Sequence, residues 1–436
     1  MVVALSVAGS DSIGGAGIQA DIKAMAAVGV HAATAITCVT SQNTRKVKAI
    51  LPLPVEQVES QLAAVLADAD VKAIKTGMLY NAEIASAVSS RLESVKAPIV
   101  VDPVLVAGVG DTLHAEDLLE ALRSRLLPLA TLITPNVPEA EELTDLSIKD
   151  LQGARRACKV IADFGPKGVL LKGGHLPGGN ATDVLYHEGR FVELRQTRID
   201  AKVHGSGCNL SAFIAAYLAL GLELEEAVVQ GKARITEGIE SHYPVGKGLD
   251  VCDSLASVRR EQARYSVMVE LAESVRELET ILTREWVPEV GTNFAYALPH
   301  ARYYEDVCAL EGRIVGAGKR VARTGCLSFG ASRHVARIVL TAMSFDPECR
   351  SAINVRCSDE NIGALKKAKL KISSFDRADE PEGVKTMEWG TAEAIRSAGR
   401  VPDAIFDRGG LGKEPMIRLL GKDPRDVLSK LSRAMR

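Results

Sequence analysis

The stretch His204-Gly205-Ser206-Gly207-Cys208-Asn209 precedes an apolar helical run, Leu210–Leu218, and it decides how the first half of the chain folds around a ligand. Its glycines leave backbone N–H groups bare, and the start of the helix adds its positive dipole end. Together these features predict a cradle for a phosphoryl group, with Cys208 inside it, where the same field would favour the thiolate. The pattern indicates phosphoryl transfer from a nucleotide. The alternative is an ordinary glycine turn whose cysteine only packs.

A second glycine cluster, Gly9-Ser10-Asp11-Ser12-Ile13-Gly14-Gly15-Ala16-Gly17, follows an apolar N-terminal strand and precedes a helix predicted to run through about Val28. Glycines there let the backbone approach a ligand closely. No Lys-Ser/Thr pair follows them, and the spacing departs from G-x-G-x-x-G. The loop therefore favours a small polar substrate over a pyrophosphate.

Short apolar runs alternate with helical patterns through the first half, which predicts a parallel sheet covered on both faces. The candidate strands are Ala4–Ala8, Thr34–Thr40, Ala73–Thr76, Pro98–Asp102, Leu132–Thr134 and Gly168–Lys172. The candidate helices include Gln57–Asp68 and Asn81–Leu92. Asp183–His187 and Arg190–Thr197 are predicted to form a hairpin at the sheet edge.

The second half begins with a charged helical segment, 254–284, whose apolar residues recur near i, i+3, i+4 spacing. This segment is predicted to open a second domain, because a chain of 436 residues is too long for one core. Strands and helices are mixed beyond it. They are predicted at Arg313–Val315, Ile353–Cys357 and Ala404–Phe406 for strands, and at Arg333–Met343, Glu360–Leu370 and Ala392–Gly399 for helices.

Composition limits the possible partners and the compartment. A net charge of −2 and an aromatic content of 4% argue against a general nucleic-acid or membrane surface. Eight cysteines occur without a C-x-x-C pair, so neither zinc nor a disulfide framework is expected, and a reducing cytoplasm fits. No apolar run approaches a membrane-spanning length.

Seven motifs in the first half carry a resemblance to a known family. They are A-G-S-D-S-I-G-G-A-G-I-Q-A-D at 8–21, Q-N-T at 42–44, K-T-G-M-L at 75–79, V-V-D-P-V at 100–104, T-P-N-V-P-E-A at 134–140, L-K-G-G-H at 171–175 and H-G-S-G-C at 204–208. In this order they resemble the hydroxymethylpyrimidine and hydroxymethylpyrimidine-phosphate kinases of thiamine biosynthesis, members of the ribokinase superfamily. For residues 1–255 the resemblance implies an α/β, ribokinase-like three-layer domain with a parallel sheet, which uses ATP and Mg²⁺ and forms a homodimer.

The rest of the chain, 264–436, resembles the archaeal-type thiamine-phosphate synthase domain, which implies a second, smaller α/β domain. The motifs that carry this resemblance are V-G-T-N-F-A-Y-A-L at 290–298, F-G-A-S-R-H-V-A-R-I-V-L-T-A-M at 329–343 and D-R-G-G-L-G-K-E-P at 407–415. Such a domain joins a pyrimidine diphosphate to a thiazole phosphate and releases pyrophosphate.

The kinase resemblance assigns roles to residues at the ends of the predicted strands, where open parallel sheets bind ligands. Cys208 stands where the superfamily usually has an Asp base, and it would deprotonate the hydroxymethyl group. The ATP and anion-binding residues would be Gly205, Ser206, Gly207, Lys172 and Asn136. Asp102 and Glu139 would hold Mg²⁺, directly or through water. The pyrimidine would contact Gly9, Ala16, Asp21, Gln42 and Met78. By spacing alone Met78 would be core, Asp21 a solvated helix acid and Glu139 a helix-start acid.

In the second domain, basic residues gather at a helix start, where the dipole disfavours cations unless an anion binds. The resemblance favours Arg313 and His334 as the pair that stabilises the leaving diphosphate. The other phosphate-binding candidates are Ser332, Arg333, Arg337 and Lys413. The alternative for each basic residue is a solvated surface cation.

Three functions fit these patterns. The first is a bifunctional enzyme that makes the pyrimidine diphosphate and then couples it to thiazole phosphate, giving thiamine monophosphate. The second is a kinase whose C-terminal domain only senses thiamine phosphates; that alternative expects a helix-turn-helix segment, and the sequence shows none before residue 264. The third is a related vitamin kinase such as pyridoxal kinase, which Gln42, Met78 and Cys208 together disfavour.

Overall fold

The computed structural model describes residues 1–106, 108, 110–176, 179–318, 320–381, 386–410 and 412–436. Leu411, which belongs to the last of the synthase motifs, lies outside them. The chain divides into two compact units, Met1–Val258 and Arg259–Arg436. Of the helices in the described ranges, none is both long enough and apolar enough to cross a membrane.

The first unit is built from a large sheet, a small strand pair and eight α-helices in its described part. The sheet strands are β1 (Val3–Asp11), β2 (His31–Gln42), β3 (Val47–Pro52), β4 (Val71–Thr76), β5 (Ile99–Val101), β6 (Leu132–Ile133), β7 (Gly168–Leu171), β8 (Asn180–His187) and β9 (Arg190–Thr197). The strand pair is β10 (Val203–His204) with β11 (Asp250–Val251). The helices are α1 (Gly17–Ala27), α2 (Val55–Asp68), α3 (Ala82–Leu92), α4 (Leu118–Ala121), α5 (Val137–Thr144), α6 (Leu151–Ala162), α7 (Ser206–Ala219) and α8 (Leu224–Glu240).

The sheet order is β3-β2-β1-β4-β5-β6-β7-β8-β9, and the six strands from β2 to β7 in that order are mutually parallel. Alternate residues of the central strands face opposite hydrophobic clusters: Leu5 packs in one and Ala4 in the other. Helices therefore cover both faces, which confirms the predicted three-layer α/β fold. The hairpin of β8 and β9 lies at the predicted edge.

The opposite edge carries a strand that the sequence analysis missed. β3 runs antiparallel to β2, and most of its residues are exposed or half-buried. Such a strand has no continuous apolar run, so periodicity gives only a weak signal for it.

The second unit contains a mostly antiparallel sheet. A long helix, α9 (Ala256–Ile281), starts just before the division between the units. The strands are β12 (Phe294–Ala297), β13 (Val307–Leu310), β14 (Ile314–Ala317), β15 (Arg320–Arg323), β16 (Leu327–Phe329), β17 (Ser351–Arg356), β18 (Ile372–Ser374), β19 (Ala404–Asp407) and β20 (Met416–Gly421). The further helices are α10 (Arg333–Phe345), α11 (Asp359–Lys367), α12 (Thr386–Ala398) and α13 (Pro424–Met435).

Seven of these strands form one sheet in the order β16-β13-β12-β17-β20-β19-β18, whereas β14 and β15 form a separate hairpin. The apolar side chains of α9, α11 and α13 pack on one face and those of α10 and α12 on the other. The predicted strand at Arg313–Val315 therefore belongs to the hairpin, and β15 and β16 separate it from α10 along the chain. Arg313 does not stand on the strand directly before that helix, as the sequence analysis expected.

Candidate functional site

The glycine cradle at the start of α7 has the geometry that only glycine allows. Gly205 adopts φ 83°, and a Cβ on it would lie 1.8 Å from the carbonyl oxygen of Gly15. The first turn of α7 contains no acidic residue, and its N-cap residue, Gly205, has no side chain that could accept a hydrogen bond from it. The N–H groups of this turn therefore keep their capacity to bind an anion.

Three successive parallel strands bring a cation and two carboxylates together beside this cradle. Asp102 follows β5, Glu139 lies in the first turn of α5 after β6, and Lys172 follows β7. The Lys172 Nζ lies 3.1 Å from Asp102 Oδ1 and 3.8 Å from Glu139 Oε2. A Cβ built on Gly207 would lie 3.2 Å from the same Nζ. The structure thus places Asp102, Glu139, Lys172 and Gly207 in one site.

Local hydrogen bonds explain why these side chains are held in place. Asn136 and Glu139 form a reciprocal capping box at the start of α5, in which each side chain accepts a hydrogen bond from the other residue's N–H, at 2.9 and 2.7 Å. The Thr134 hydroxyl donates to Asp102 Oδ1 at 3.1 Å. The side-chain oxygen of Asn136 is therefore used to cap α5. Its contact with ATP stays a prediction.

The three charges perturb one another's ionisation. Burial raises the pKa of Glu139 to about 7, and the charge of Asp102 adds to this shift while Lys172 opposes it. Burial also opposes ionisation of Asp102, yet Lys172 holds the pKa of that carboxyl below its usual value. Burial would lower the pKa of Lys172, but the two carboxylates outweigh it and keep the pKa above the ordinary value.

The donor set suits Mg²⁺ that arrives with a nucleotide. Within the described residues, no three His, Cys, Asp or Glu side chains cluster as a complete metal site. Mg²⁺ commonly needs only one or two protein carboxylates, because waters and substrate phosphates complete its octahedron. Asp102 and Glu139 meet that requirement.

Cys208 lies half-buried in the first turn of α7, as the sequence analysis predicted, but its ionisation differs from the expectation. Burial raises the pKa of the Cys208 thiol to about 11, although Lys75 and a hydrogen bond from the Gly17 N–H pull it down. Burial therefore outweighs the field that the sequence analysis expected to favour the thiolate. Desolvation destabilises the thiolate more than the nearby dipoles and the Lys75 cation stabilise it.

The structure contradicts one of the two sequence interpretations of Asp21. Its side chain is fully buried, where it accepts hydrogen bonds from Lys75 Nζ at 2.9 and 3.0 Å and from the Ser6 hydroxyl at 2.5 Å. It is therefore not a solvated helix acid, and its contact with the pyrimidine stays a prediction. Burial would lower the pKa of Lys75, but the Asp21 carboxylate outweighs burial and holds the pKa above its ordinary value. Both charges of the ion pair act on the pKa of Cys208: Lys75 lowers it and Asp21 raises it.

The remaining predicted pyrimidine contacts form two adjoining groups at the ends of β1 and β2. Met78 is buried in a small apolar cluster with Cys38, and a Cβ on Gly9 would lie 2.7 Å from the Cys38 Sγ and 3.3 Å from the Met78 Sδ. Gln42 Nε2 lies 3.1 Å from His204 Nε2. Glycine at position 9 therefore lets the backbone pack closely against the sulfur atoms of Cys38 and Met78.

His204 and Asp11 are residues that the sequence analysis missed as a pair. His204 Nε2 lies 2.9 Å from Asp11 Oδ2, and that oxygen also accepts the N–H groups of Gly15 and Ala16 at 2.9 and 2.8 Å. Burial would raise the pKa of Asp11, but the hydrogen bond and charge of His204 lower it. The Ala16 N–H is thus used inside the protein. A signal existed, since His204 precedes the cradle and Asp11 opens the first glycine loop.

In the second unit, cations surround His334. Partial burial and the positive charges of Arg418, Arg313, Arg377 and Arg337 lower the pKa of His334 to about 4, although the residue as a whole is exposed. The imidazole is therefore neutral at pH 7 and can donate or accept a hydrogen bond. The charge of Arg313 therefore acts on His334, its predicted partner, and so do the charges of Arg377 and Arg418, which the sequence analysis did not identify.

The other predicted phosphate ligands are placed less uniformly. Ser332 is the N-cap of α10, and its hydroxyl is buried without a hydrogen-bond partner. Arg337 Nε lies 3.4 Å from Glu388 Oε1, and Lys413 Nζ lies 3.3 Å from Glu380 Oε2. Arg333 is exposed and lies over the ring of Tyr304, 4.9 Å from its centroid. Of these four residues, Ser332 is the one whose side chain has a buried polar atom without a hydrogen-bond partner.

Comparisons with known proteins agree with this division. Residues 11–253 match the phosphomethylpyrimidine kinase family, and residues 270–433 match the thiamine-phosphate synthase ThiN family. The chain is 34% identical over 433 residues to the bifunctional thiamine biosynthesis protein ThiDN of Methanocaldococcus jannaschii, covering 99% of this chain and 97% of that protein. It is 45% identical over 250 residues to the hydroxymethylpyrimidine/phosphomethylpyrimidine kinase of Streptomyces coelicolor, covering 57% of this chain and 93% of the relative.

Two solved structures resemble the first unit. The phosphomethylpyrimidine kinase of Clostridium difficile 630 is 40% identical, with a TM-score of 0.50, and covers 55% of this chain and all of its own. The pyridoxal kinase of Bacillus subtilis, solved with ADP, is 34% identical, with a TM-score of 0.56, and covers 59% of this chain and 99% of its own. The chain belongs to the phosphomethylpyrimidine kinase family, in the bifunctional form that continues into a thiamine-phosphate synthase domain.

Proposed function

We propose that the first domain, residues 1–255, phosphorylates 4-amino-5-hydroxymethyl-2-methylpyrimidine and then its monophosphate, with ATP as donor. The observation that carries this proposal is the convergence of Asp102, Glu139 and Lys172 beside Gly207 at the start of α7. Phosphoryl transfer depends mostly on positioning and on neutralising charge on the transferred group. Backbone N–H groups and Lys172 would meet that charge, while Asp102 and Glu139 would hold Mg²⁺, which neutralises and orients the phosphates.

Cys208 would act as the base for the first transfer. Its pKa of about 11 means that only a small fraction of the thiol is ionised near pH 7, and that thiolate would accept the hydroxymethyl proton as the hydroxyl oxygen attacks the phosphoryl group. Lys75 favours that ionisation electrostatically. The second transfer has an acceptor oxygen that is already ionised, so it needs no base.

The second domain, residues 264–436, would join the pyrimidine diphosphate to thiazole phosphate and form thiamine monophosphate and pyrophosphate. The supporting observation is the cluster of Arg313, Arg377 and Arg418 around the neutral His334. Pyrophosphate leaves a carbon only if its growing charge is stabilised, which cations and hydrogen-bond donors can do. Neutral His334 would donate a hydrogen bond without adding its own charge.

A sensing role for the second domain is the rival proposal, because the same cations would bind thiamine phosphates without catalysis. Pyridoxal phosphorylation is a further alternative for the first domain, since the Bacillus subtilis pyridoxal kinase shares its fold. The contact of Gln42 with His204 favours the pyrimidine, because an amide there can match the donor and acceptor of an aminopyrimidine edge.

One assay separates these alternatives. The full chain is incubated with ATP, Mg²⁺, hydroxymethylpyrimidine and thiazole phosphate, and thiamine monophosphate is measured. If the second domain is only a sensor, the protein would consume ATP but form no thiamine monophosphate. If pyridoxal is a better phosphate acceptor than the pyrimidine, the kinase assignment is contradicted. Residues 1–255 alone should fold and retain the kinase activity; an insoluble or inert fragment would contradict the boundary.

We also propose that the protein acts in the cytoplasm as a homodimer joined through its kinase domain. All eight cysteines are free thiols in the structure, which suits a reducing compartment. Sedimentation of the full chain and of residues 1–255 would test the assembly, since both should sediment as dimers.

A further inference from the structure

The second unit buries two arginines on a single carboxylate. Arg377 Nε donates to Asp407 Oδ1 at 2.5 Å, and Arg418 donates to Asp407 Oδ2 at 2.7 Å. The side chains are 10%, 1% and 0% exposed for Arg377, Arg418 and Asp407. One carboxylate neutralises one guanidinium, so the trio retains about one positive charge away from bulk water, which is costly unless another anion joins it.

The fold keeps this trio in place. Asp407 ends β19, and Arg418 lies on the neighbouring antiparallel strand β20. The Gly409 N–H donates to Asp407 Oδ1 at 2.9 Å, and the Arg418 guanidinium lies 5.4 Å from the Phe375 ring centroid. The described residues offer no second carboxylate within ion-pair distance of either arginine. The Arg418 Nε has no hydrogen-bond partner.

The excess charge adjoins the start of α10. The Arg418 guanidinium contacts Met387 and Phe375, which pack in the same apolar cluster as Val335 of α10. The charges of Arg418 and Arg377 also help to lower the pKa of His334. At the N-cap of α10, Ser332 is 5% exposed and its hydroxyl lacks any partner. A helix start, an orphaned buried hydroxyl and an uncompensated buried arginine pair all favour the same kind of ligand, an anion with several oxygens.

We propose that Arg377, backed by Asp407 and Arg418, forms a second anion subsite beside Arg313 and His334, and that it binds a phosphate group of one of the two phosphorylated synthase substrates. Arg377 is the contacting residue, while Asp407 and Arg418 position it and supply charge. The proposal rests on the proposed synthase function, whose two substrates each bring phosphate. Lys413, the cation that the sequence favoured here, is half-exposed and already pairs with Glu380.

The test is a set of kinetic constants for the full chain with Arg377→Gln, and with Arg396→Gln as the matched control. Arg396 lies exposed on α12, 3.7 Å from Glu393. Arg377→Gln should raise the KM for one of the two synthase substrates, the pyrimidine diphosphate or thiazole phosphate, at least about tenfold. The KM for the other substrate should stay within about twofold of wild type. The substrate whose KM rises is the one that binds at Arg377. Kinase turnover in the same preparation should not change, and Arg396→Gln should change nothing. Unaltered KM values for both substrates in Arg377→Gln would overturn the subsite.

A second measurement covers the case in which Arg377→Gln fails to fold. Inorganic pyrophosphate is titrated into wild type and Asp407→Asn during urea unfolding. Asp407→Asn should be less stable without anion and should gain more from pyrophosphate than wild type, because the anion replaces the lost carboxylate. Equal gains would overturn the proposal. If wild type makes no thiamine monophosphate yet gains stability that Arg377→Gln lacks, the synthase assignment fails while the anion subsite stands.

Discussion

The two candidate sites differ in the balance of their positive and negative side chains. In the first unit, cations are matched by carboxylates: Lys75 pairs with Asp21, and Lys172 lies between Asp102 and Glu139. In the second unit, arginines outnumber carboxylates around His334.

This difference follows from what each ligand brings with it. A nucleotide arrives with Mg²⁺, so its site needs carboxylates for the metal and only moderate positive charge for the phosphoryl group. A leaving diphosphate needs cations or donors in the protein itself. The ratio of carboxylates to cations therefore distinguishes the two kinds of site. Carboxylates beside cations suit phosphates that bind with a metal ion, whereas an excess of cations suits phosphates that the protein itself must neutralise.

The largest effect should come from removing the base of the first site. Cys208→Ala should slow phosphorylation of the free alcohol by about 100- to 10,000-fold, because the hydroxyl then loses its proton acceptor. Phosphorylation of the monophosphate should fall much less. Initial rates with each acceptor at saturating ATP measure both effects, and Cys158→Ala, which changes a buried thiol on α6, tests for nonspecific damage. Equal activity of Cys208→Ala and wild type on the alcohol would disprove the role.

The pH profile adds a second test of the same residue. Because the pKa of the thiol is about 11, kcat/KM for the alcohol should increase with pH from 7 to 9, by up to about tenfold per unit. A profile flat over this range in wild type would mean that another group takes the proton.

The next effect tests the cationic character of the second site. Arg313→Ala or His334→Ala should lower thiamine monophosphate formation at least tenfold, since one charge-assisted contact contributes roughly 1.5–3 kcal/mol. Kinase turnover should remain intact. Arg396→Ala serves as the control for loss of an arginine in the same unit, and a synthase rate as high in His334→Ala as in wild type would exclude His334 from the reaction.

A smaller effect is expected at the contact between the two glycine loops of the first site. His204→Asn would lose the hydrogen bond to Asp11 and the contact with Gln42, so the KM for the pyrimidine should rise about tenfold while that for ATP changes little. His31→Asn, at an exposed position on β2, is the control. A larger rise for ATP than for the pyrimidine would contradict a positioning role for His204.

The last effect concerns the pH dependence of stability at Glu139. Glu139 has its pKa raised to about 7 in the folded protein, so the native state binds the extra proton between the unfolded pKa near 4.5 and 7. Its contribution to the free energy of unfolding is therefore complete below pH 4.5 and is lost as the pH rises to 7, by at most about 1.4 kcal/mol per pH unit. Urea unfolding of wild type and Glu139→Gln should show that difference, and the exposed Glu83→Gln should not. The opposite sign would mean that Lys172 dominates the pair.

The sequence predicted the first unit well because its signals are local. Parallel strands buried on both faces appear as continuous apolar runs, so β1, β2 and β4 to β7 were found. The second unit was predicted less completely: only three strands were proposed, and one of them belongs to a separate hairpin. Short antiparallel strands such as β12 and β13 carry no distinctive period, and their pairing depends on partners far along the chain.

The sequence by itself determined the family, the three-layer fold and the candidate residues, since these depend on motif order and on glycine and strand-end chemistry that are local. Only the tertiary structure decided the electrostatic state of those residues. It buried Asp21 on Lys75, raised the pKa of Cys208 and placed Arg377 and Arg418 on one carboxylate, because ionisation depends on desolvation and on charges brought close from distant segments.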